Sequence, residues 1–161
     1  MDDPFDLERF RTAQAGVFDG ALAELRAGRK RGHWIWFVFP QVSGLGTSEM
    51  SRRYAIGSLA EARAYLADAT LGPRLRRCCE ALQALPGDTG IGTVMGGIDA
   101  LKLRSSMTLF TLADPSEPRF VRILERFYGD EMKWKRIYEA NRDKIKNPDV
   151  IHVGQEFVIP E

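Results

Sequence analysis

The sequence contains little cysteine, little histidine and almost no net charge, and each shortage limits what the protein can do. Its 161 residues include two cysteines and two histidines, and the formal net charge is +1. A general nucleic-acid or anionic-membrane binder needs a strongly basic surface. The balanced charge therefore argues against both partners, although local basic clusters remain compatible with it.

The cysteines do not form a disulfide framework. Cys78 and Cys79 are adjacent, and neighbouring side chains on a helix point in different directions, so the two are poor partners for each other. This usage favours a reducing compartment. The acidic start, Met1-Asp2-Asp3-Pro4, is not followed by an apolar stretch that fits a signal peptide or a membrane span. We therefore expect a cytoplasmic protein.

Metal and cofactor motifs are also missing. No cysteine–histidine spacing matches a zinc site. The glycines between residues 87 and 97 lack the lysine and the serine or threonine that complete a phosphate-binding loop. The sequence therefore predicts no metal and no cofactor.

Helical periodicity dominates what is present. Ser58-Leu59-Ala60-Glu61 is a capping box and predicts a helix to about Asp68. Asp99 can cap a later helix that ends at Asp114-Pro115, and Gly129 fits the left-handed position just after a helix. Residues 87–97 are rich in glycine and are expected to form a mobile loop.

Two apolar stretches do not show a clear helical periodicity. Residues 33–40 are apolar and aromatic, and periodicity alone leaves a buried strand and a short buried helix equally open. Phe157-Val158-Ile159 is the best strand candidate in the chain. A single strand needs a partner for its backbone, so this segment either docks on the body or pairs with a second copy in a homo-oligomer.

Residues 4–128 carry long, ordered motifs. They include Phe5-Asp6-Leu7-Glu8-Arg9-Phe10, His33-Trp34, Trp36-Phe37, Phe39-Pro40-Gln41, Ser51-Arg52-Arg53-Tyr54 and Leu101-Lys102-Leu103-Arg104-Ser105-Ser106. In these motifs the segment resembles the bacterial "domain of unknown function 1810" family. The resemblance implies a fold of packed helices and no established activity.

Residues 127–160 are of a different kind. Phe127-Tyr128-Gly129-Asp130, Asn147-Pro148-Asp149 and Val153-Gly154-Gln155-Glu156-Phe157 resemble the C-terminal part of a LysM module, a fold that grips N-acetylglucosamine chains. The resemblance implies that Asn147, Pro148, Asp149 and Ile151 line half of a glycan groove. The other half would lie near residues 111–118, which lack that family's glycine-aspartate-threonine step. Two ancestries are thus expected to meet near residue 128.

Several side chains are candidates for chemistry. Arg52, Arg53, Lys102 and Arg104, with Ser105, are cations and a hydroxyl that suit an anionic small molecule such as a phosphate. The alternative is a scatter of solvated charges. Histidine as a residue type has an ordinary pKa near neutrality, so His33 is a candidate acid/base catalyst; the alternative, a hydrogen bond to a helix end, is favoured because no nucleophile or orienting acid is adjacent in sequence.

Trp34 and Trp36 suit either a stacking platform or the core. On a strand both would face the same side, and on a helix they would diverge.

These observations predict an all-α packed multi-helix domain of about six helices over residues 1–128. A short helix–turn–strand appendage follows over residues 129–161. The first functional hypothesis is a small binding or interaction module with a LysM-like tail. The alternative is an enzyme that acts on a phosphorylated or nucleotide-like molecule through His33, with Arg52, Lys102 and Arg104 on the anion. A third hypothesis gives the tail a purely structural role.

Overall fold

The computed structural model describes residues 3–129. Within them the chain forms helices in the following order: α1 (Glu8–Gln14), α2 (Phe18–Arg26), α3 (Ile35–Val38), α4 (Glu49–Arg53), α5 (Leu59–Ala67), α6 (Leu71–Gln83), α7 (Ile91–Met95), α8 (Gly97–Ala113) and α9 (Pro118–Tyr128). The described residues contain no strand, and their β-type pairing is one isolated bridge between Val42 and Ile56. The all-α prediction is confirmed for this part of the chain. The predicted strand at residues 157–159 lies outside it.

Helix α8 is the centre of the packing. It contacts α9, α5, α7 and α3, while α6 packs on α2, α5 and α9. On its buried side the ring of Phe110 lies between those of Tyr65 and Phe120, with centroid distances of 5.3 and 5.8 Å. Because α8 is held from several sides, its exposed side is a rigid platform.

The capping box at the start of α5 is confirmed, with one difference. Ser58 Oγ accepts a hydrogen bond from the backbone N–H of Glu61 at 3.0 Å. The Glu61 carboxylate accepts a hydrogen bond from the backbone N–H of Gly57 at 3.1 Å. In a standard capping box the donor would be the cap residue itself, Ser58, which is one position later. The other carboxylate oxygen of Glu61 pairs with Arg9 at 2.7 Å, so the side chain bridges two partners.

Other local predictions need correction. The segment 87–97 is not only a loop, because α7 occupies residues 91–95. Asp99 does not cap α8: the N-cap is Gly96, at φ +84°, and Asp99 lies inside the first turn. Gly129 has the predicted left-handed conformation, at φ 66° and ψ 28°.

The ambiguous aromatic stretch is resolved as the short helix α3. Its two tryptophans diverge, as expected for a helix. Trp34, at the N-cap, is 2% exposed and belongs to the core, whereas Trp36 is only partly buried.

Two arginines stabilise segments between helices through hydrogen bonds to backbone carbonyls. Arg126 of α9 donates to the carbonyl oxygens of Leu82, Gln83, Leu85 and Pro86, at 2.7 to 3.0 Å. It thereby binds carbonyls in the last turn of α6 and in the segment that follows the helix. Arg9 of α1 acts similarly. Its backbone acceptors are the carbonyls of Phe5, Asp6, Arg53 and Ala55.

No helix within residues 3–129 has both the length and the apolar character that a membrane span requires.

Candidate ligand-binding cleft

A cleft of about 220 Å³ opens between the first turns of α8 and the segment that contains α4. We call it the α8 cleft. Its lining consists of Trp36, Gln41, Val42, Leu45, Gly46, Ser51, Tyr54, Ala55, Ile98, Leu101, Lys102 and Ser105. The cleft is therefore built from sequence positions 36–55 and 98–105, which the fold brings together.

Helical spacing explains the α8 wall. Ile98, Leu101, Lys102 and Ser105 are separated by three, one and three positions, so they share one face of the helix. Ala100, Leu103 and Met107 are buried on the other side. Helix α8 is thus apolar on both sides, and one of those sides faces the cleft.

The rim of the cleft is unusually apolar for a surface. Ile98 is 73% exposed, Leu101 is 64% exposed and Leu45 is 43% exposed. Val17 is the other large apolar side chain with comparable exposure among the described residues. Scattered exposed apolar residues need no explanation, but a group that surrounds a concavity is typical of a binding site.

The wall opposite α8 consists of residues 41–55, and backbone hydrogen bonds hold its two ends together. The N–H of Ile56 donates to the carbonyl of Gln41 at 2.8 Å, and the N–H of Ser43 donates to the carbonyl of Ile56 at 2.9 Å. Gly46 then approaches Ser51 so closely that a Cβ at this position would lie 2.5 Å from Ser51 Oγ. A side chain at position 46 would displace Ser51, so glycine is required for this wall.

Lys102 is the one charged residue in the described lining. Its side chain is 25% exposed, and its Nζ lies 4.9 Å from the centre of the Trp36 ring. Among the described residues the nearest carboxylate oxygen, Asp99 Oδ1, is 3.7 Å away, which is beyond hydrogen-bonding distance. The lysine charge is therefore only partly compensated.

The other carboxylate oxygen of Asp99 has a closer partner. Its Oδ2 lies 2.7 Å from Nζ of Lys30, a side chain that is 6% exposed. Two lysines thus share one carboxylate, and this group carries one net positive charge beside the cleft.

Trp36 carries a second polar feature. Its indole Nε1 is buried and has no hydrogen-bond acceptor within the described part of the structure. A buried donor without an acceptor typically costs about 1–3 kcal/mol. Its ring body lines the cleft beside Lys102.

The cleft brings together some of the residues singled out from the sequence. Trp36, Lys102 and Ser105 line it, and Ser105 Oγ donates to the carbonyl of Leu101 at 3.2 Å. The described lining does not include the other candidates within residues 3–129. These are His33, Trp34, Arg52, Arg53 and Arg104.

Each of these residues has another environment. Trp34 is core, while His33, Arg52 and Arg53 are exposed. The guanidinium of Arg53 lies 5.6 Å from the Tyr54 ring centre and that of Arg104 lies 5.8 Å from the Tyr128 ring centre. The glycan-groove candidates Asn147, Pro148, Asp149 and Ile151 lie outside the described residues.

Sequence reasoning missed the apolar part of the cleft, namely Leu45, Ile98 and Leu101. The available signal was the pattern of 98, 101, 102 and 105, which adds a second apolar stripe to α8. That pattern does not reveal which stripe is covered, because the covering elements are distant in sequence.

The thiols do not contribute reactive groups to this site. Burial raises the pKa of Cys78 to about 12, and burial likewise raises the pKa of Cys79 well above its usual value. Cys79 Sγ lies 3.7 Å from Met107 Sδ in the core. Both are structural cysteines, since a thiolate is needed for nucleophilic or metal chemistry.

Comparison with known proteins identifies the relatives of this fold. A family model described as "Protein of unknown function (DUF1810)" matches residues 4–137. The chain belongs to the DUF1810 family. Its structure is similar to that of the conserved hypothetical protein Rv1873 from Mycobacterium tuberculosis, with 53% sequence identity and a TM-score of 0.77. The similarity covers 79% of this chain and 90% of the mycobacterial chain. No protein of curated function matches.

The first resemblance drawn from the sequence is thus confirmed, and no activity comes with it. The family match continues past residue 128 to residue 137. The LysM resemblance of residues 127–160 stays a prediction.

Proposed function

We propose that this DUF1810 protein is a binding module, and that the α8 cleft holds a small amphiphilic molecule with one negative charge. The supporting observation is the composition of the cleft. A single lysine with an incompletely compensated charge lies among exposed aliphatic side chains and one tryptophan. Such a surface complements a ligand that has an apolar body and one anionic group.

The number of cations favours a monoanion. Phosphate groups are usually held by arginine forks, several N–H donors or a metal ion. The described lining offers one lysine ammonium, the amide of Gln41 and the hydroxyls of Ser51, Tyr54 and Ser105. This set suits a carboxylate better than a phosphate dianion.

The size of the cleft limits the ligand. Its volume of about 220 Å³ lies below the roughly 300–1,000 Å³ of sites that enclose drug-sized molecules. The cleft therefore accommodates a fragment-sized molecule, or one end of a longer one whose remainder lies on the Ile98–Leu101 rim.

The test compares three ligands that differ in one group: 4-phenylbutyrate, 4-phenylbutan-1-ol and 4-phenylbutylamine. Calorimetric titration should rank them carboxylate, alcohol, amine. A charge-assisted contact contributes about 1.5–3 kcal/mol when buried, so a partly exposed lysine should give the carboxylate about a tenfold advantage over the alcohol.

Two variants separate the cleft from the wider basic surface. Lys102→Met should remove the preference for the carboxylate and leave binding of the alcohol within about twofold. Arg52→Met, an exposed cation outside the described lining, should leave the preference unchanged. Equal affinity of the intact protein for all three ligands would contradict the proposal, as would a preference that survives Lys102→Met.

The alternative functions from the sequence have less support. Of the four residues assigned to a phosphorylated substrate, Lys102 alone lines the cleft in the described structure. Tighter binding of AMP than of 4-phenylbutyrate, weakened by both Arg52→Met and Arg104→Met, would favour that alternative.

The resemblance to a LysM module implies a strand just before the other half of the groove, at about residues 108–112, and this strand would pair with the tail. These residues belong to α8. The described part of the chain therefore does not supply that strand, and titration with N-acetylglucosamine oligomers remains the direct test.

A further inference from the structure

We infer that Lys30 is a positioning residue that keeps the α8 cleft positively charged, because it holds the Asp99 carboxylate away from Lys102. This inference rests on the proposed function. Lys30 is not part of the described cleft lining, and its side chain is 6% exposed. Its effect on a ligand would therefore pass through Asp99.

The geometry of the three charges carries the inference. Asp99 and Lys102 are three positions apart on α8, a spacing at which a carboxylate and an ammonium readily form a close ion pair. Their atoms nevertheless stand 3.7 Å apart, whereas Asp99 and Lys30 are separated by 2.7 Å. Asp99 is thus drawn towards the buried lysine, and Lys102 is left with the weaker contact.

Lys30 is itself fixed in place. Its backbone N–H donates to the carbonyl of Val94 in α7 at 2.7 Å, and its Nζ donates to the carbonyl of Gly32. The same Nζ lies 4.8 Å from the centre of the buried Trp34 ring. Lysine at this position is therefore attached to α7 and to the core, so its ammonium forms a stationary anchor for Asp99.

The loop that carries Lys30 is fastened to α2 as well. Glu24 Oε1 accepts from the backbone N–H groups of Arg31 and Gly32, at 2.7 and 2.8 Å, and from Trp34 Nε1 at 3.0 Å. This carboxylate holds the loop directly after the lysine, and the backbone N–H of Arg29 donates to the carbonyl of Glu24 at 3.0 Å just before it. The motif Arg29-Lys30-Arg31 thus contains one structural cation.

If the two lysines share Asp99, removal of Lys30 and removal of the Asp99 charge should change the affinity for a carboxylate in opposite directions. Without Lys30, Asp99 is free to close on Lys102 and compete with an anionic ligand, so carboxylate affinity should fall. Without the Asp99 charge, Lys102 has no competitor, so carboxylate affinity should rise. A merely structural role for the pair would make both changes harmful.

The experiment measures the ratio of 4-phenylbutyrate affinity to 4-phenylbutan-1-ol affinity in the full-length chain. General damage to the cleft affects both ligands and largely cancels in this ratio. We expect Lys30→Met to lower the ratio about fivefold and Asp99→Asn to raise it about threefold. In the double variant, the loss caused by Lys30→Met should be absent, because its effect requires the Asp99 charge.

The outcomes separate the two proposals. If the intact protein shows no preference for the carboxylate, the proposed function fails. If that preference exists and depends on Lys102, but Asp99→Asn lowers the ratio or leaves it unchanged, the role of Lys30 is refuted and the proposed function stands. A fall of the ratio with Lys30→Met in the Asp99→Asn background would also refute it, since Lys30 would then act directly. Should Lys30→Met fail to fold, the partly exposed Asp99→Asn decides the question alone.

Discussion

Arg126 and Lys102 are both cations on the helices that form the centre of the fold, and their surroundings differ in a way that separates stability from binding. Arg126 donates to four backbone carbonyls between residues 82 and 86. Lys102 has a 3.7 Å contact with a carboxylate and a 4.9 Å contact with a ring centre. The arginine uses its N–H groups on carbonyls of the chain, whereas the described residues place no hydrogen-bond acceptor close to the lysine ammonium.

The apolar residues near each cation show the same contrast. Beside Arg126 on α9, Ile123 and Leu124 are buried, at 0% and 1% exposure. On the same face of α8 as Lys102, Ile98 and Leu101 are mostly exposed. Exposed aliphatic surface contributes little to folding and remains available for association. The comparison therefore predicts large folding effects at the Arg126 corner and mainly binding effects at the cleft.

The largest expected effect is that of Arg126→Met. The change keeps most of the aliphatic side chain but removes a donor from four carbonyls, of which those of Leu82 and Pro86 keep backbone donors. We therefore expect the free energy of unfolding to fall by about 2 kcal/mol. Urea unfolding monitored by circular dichroism measures this value. Arg122→Met, at an exposed position of the same helix, is the matched control and should change it by less than about 0.5 kcal/mol. A similar loss of unfolding free energy in both variants would show that the hydrogen bonds of Arg126 are not the cause.

An intermediate effect is expected for Glu24→Gln in α2, whose carboxylate holds the loop that carries Lys30. Burial, the largest single influence, raises the pKa of Glu24, but the hydrogen bonds from Gly32, Arg31 and Trp34 together lower it below 4.5. Because the folded pKa is depressed, the carboxylate stabilises the fold fully above pH 4.5, and this contribution is lost as the pH falls through the folded pKa.

At pH 7 we therefore expect Glu24→Gln to be about 1 kcal/mol less stable than the parent chain. The difference should narrow on acidification, and unfolding experiments across the acid range measure it. A difference that is independent of pH would show that the loss of charge is not its cause.

The smallest effect on stability is expected for Ile98→Ser. This side chain is 73% exposed, so its replacement should change the free energy of unfolding by less than about 0.5 kcal/mol. Binding of 4-phenylbutyrate should nevertheless weaken several-fold, because the rim loses apolar contact area. The same titration on Val17→Ser, an exposed aliphatic position outside the described cleft lining, should show no change. If the parent chain, Ile98→Ser and Val17→Ser bind 4-phenylbutyrate equally well, the rim does not contact the ligand.

Local signals predicted much of the fold correctly. The Ser58 cap, the stop of α8 before Pro115 and the left-handed Gly129 follow from the chemistry of a few adjacent residues, and the structure reproduces all three. Prediction failed where distant residues compete. Asp99 looks like an N-cap in isolation, but Lys30, far away in sequence, supplies a stronger partner for its carboxylate.

The cleft shows the same limit. From the sequence, Arg52, Arg53, Lys102 and Arg104 are all candidate cations in two short motifs, of which Lys102 and Arg104 interrupt an apolar helix. Helical spacing separates Lys102 from Arg104, but only the packing of residues 41–56 against α8 places Lys102 in a concavity and leaves Arg52 and Arg53 outside the described lining. The same packing separates Trp34, which joins the core, from Trp36, which lines the cleft.

By itself, the sequence determined the helical class, several helix ends and the family, since periodicity, caps and ordered motifs are properties of neighbouring residues. Tertiary structure decided which apolar stripe of α8 is covered, which lysine is buried and which cation faces a cleft. These properties depend on contacts between segments 40 to 70 positions apart, such as Lys30 with Asp99 or Trp36 with Lys102. No local pattern contains that information, because burial and charge compensation are set by the neighbours that folding supplies.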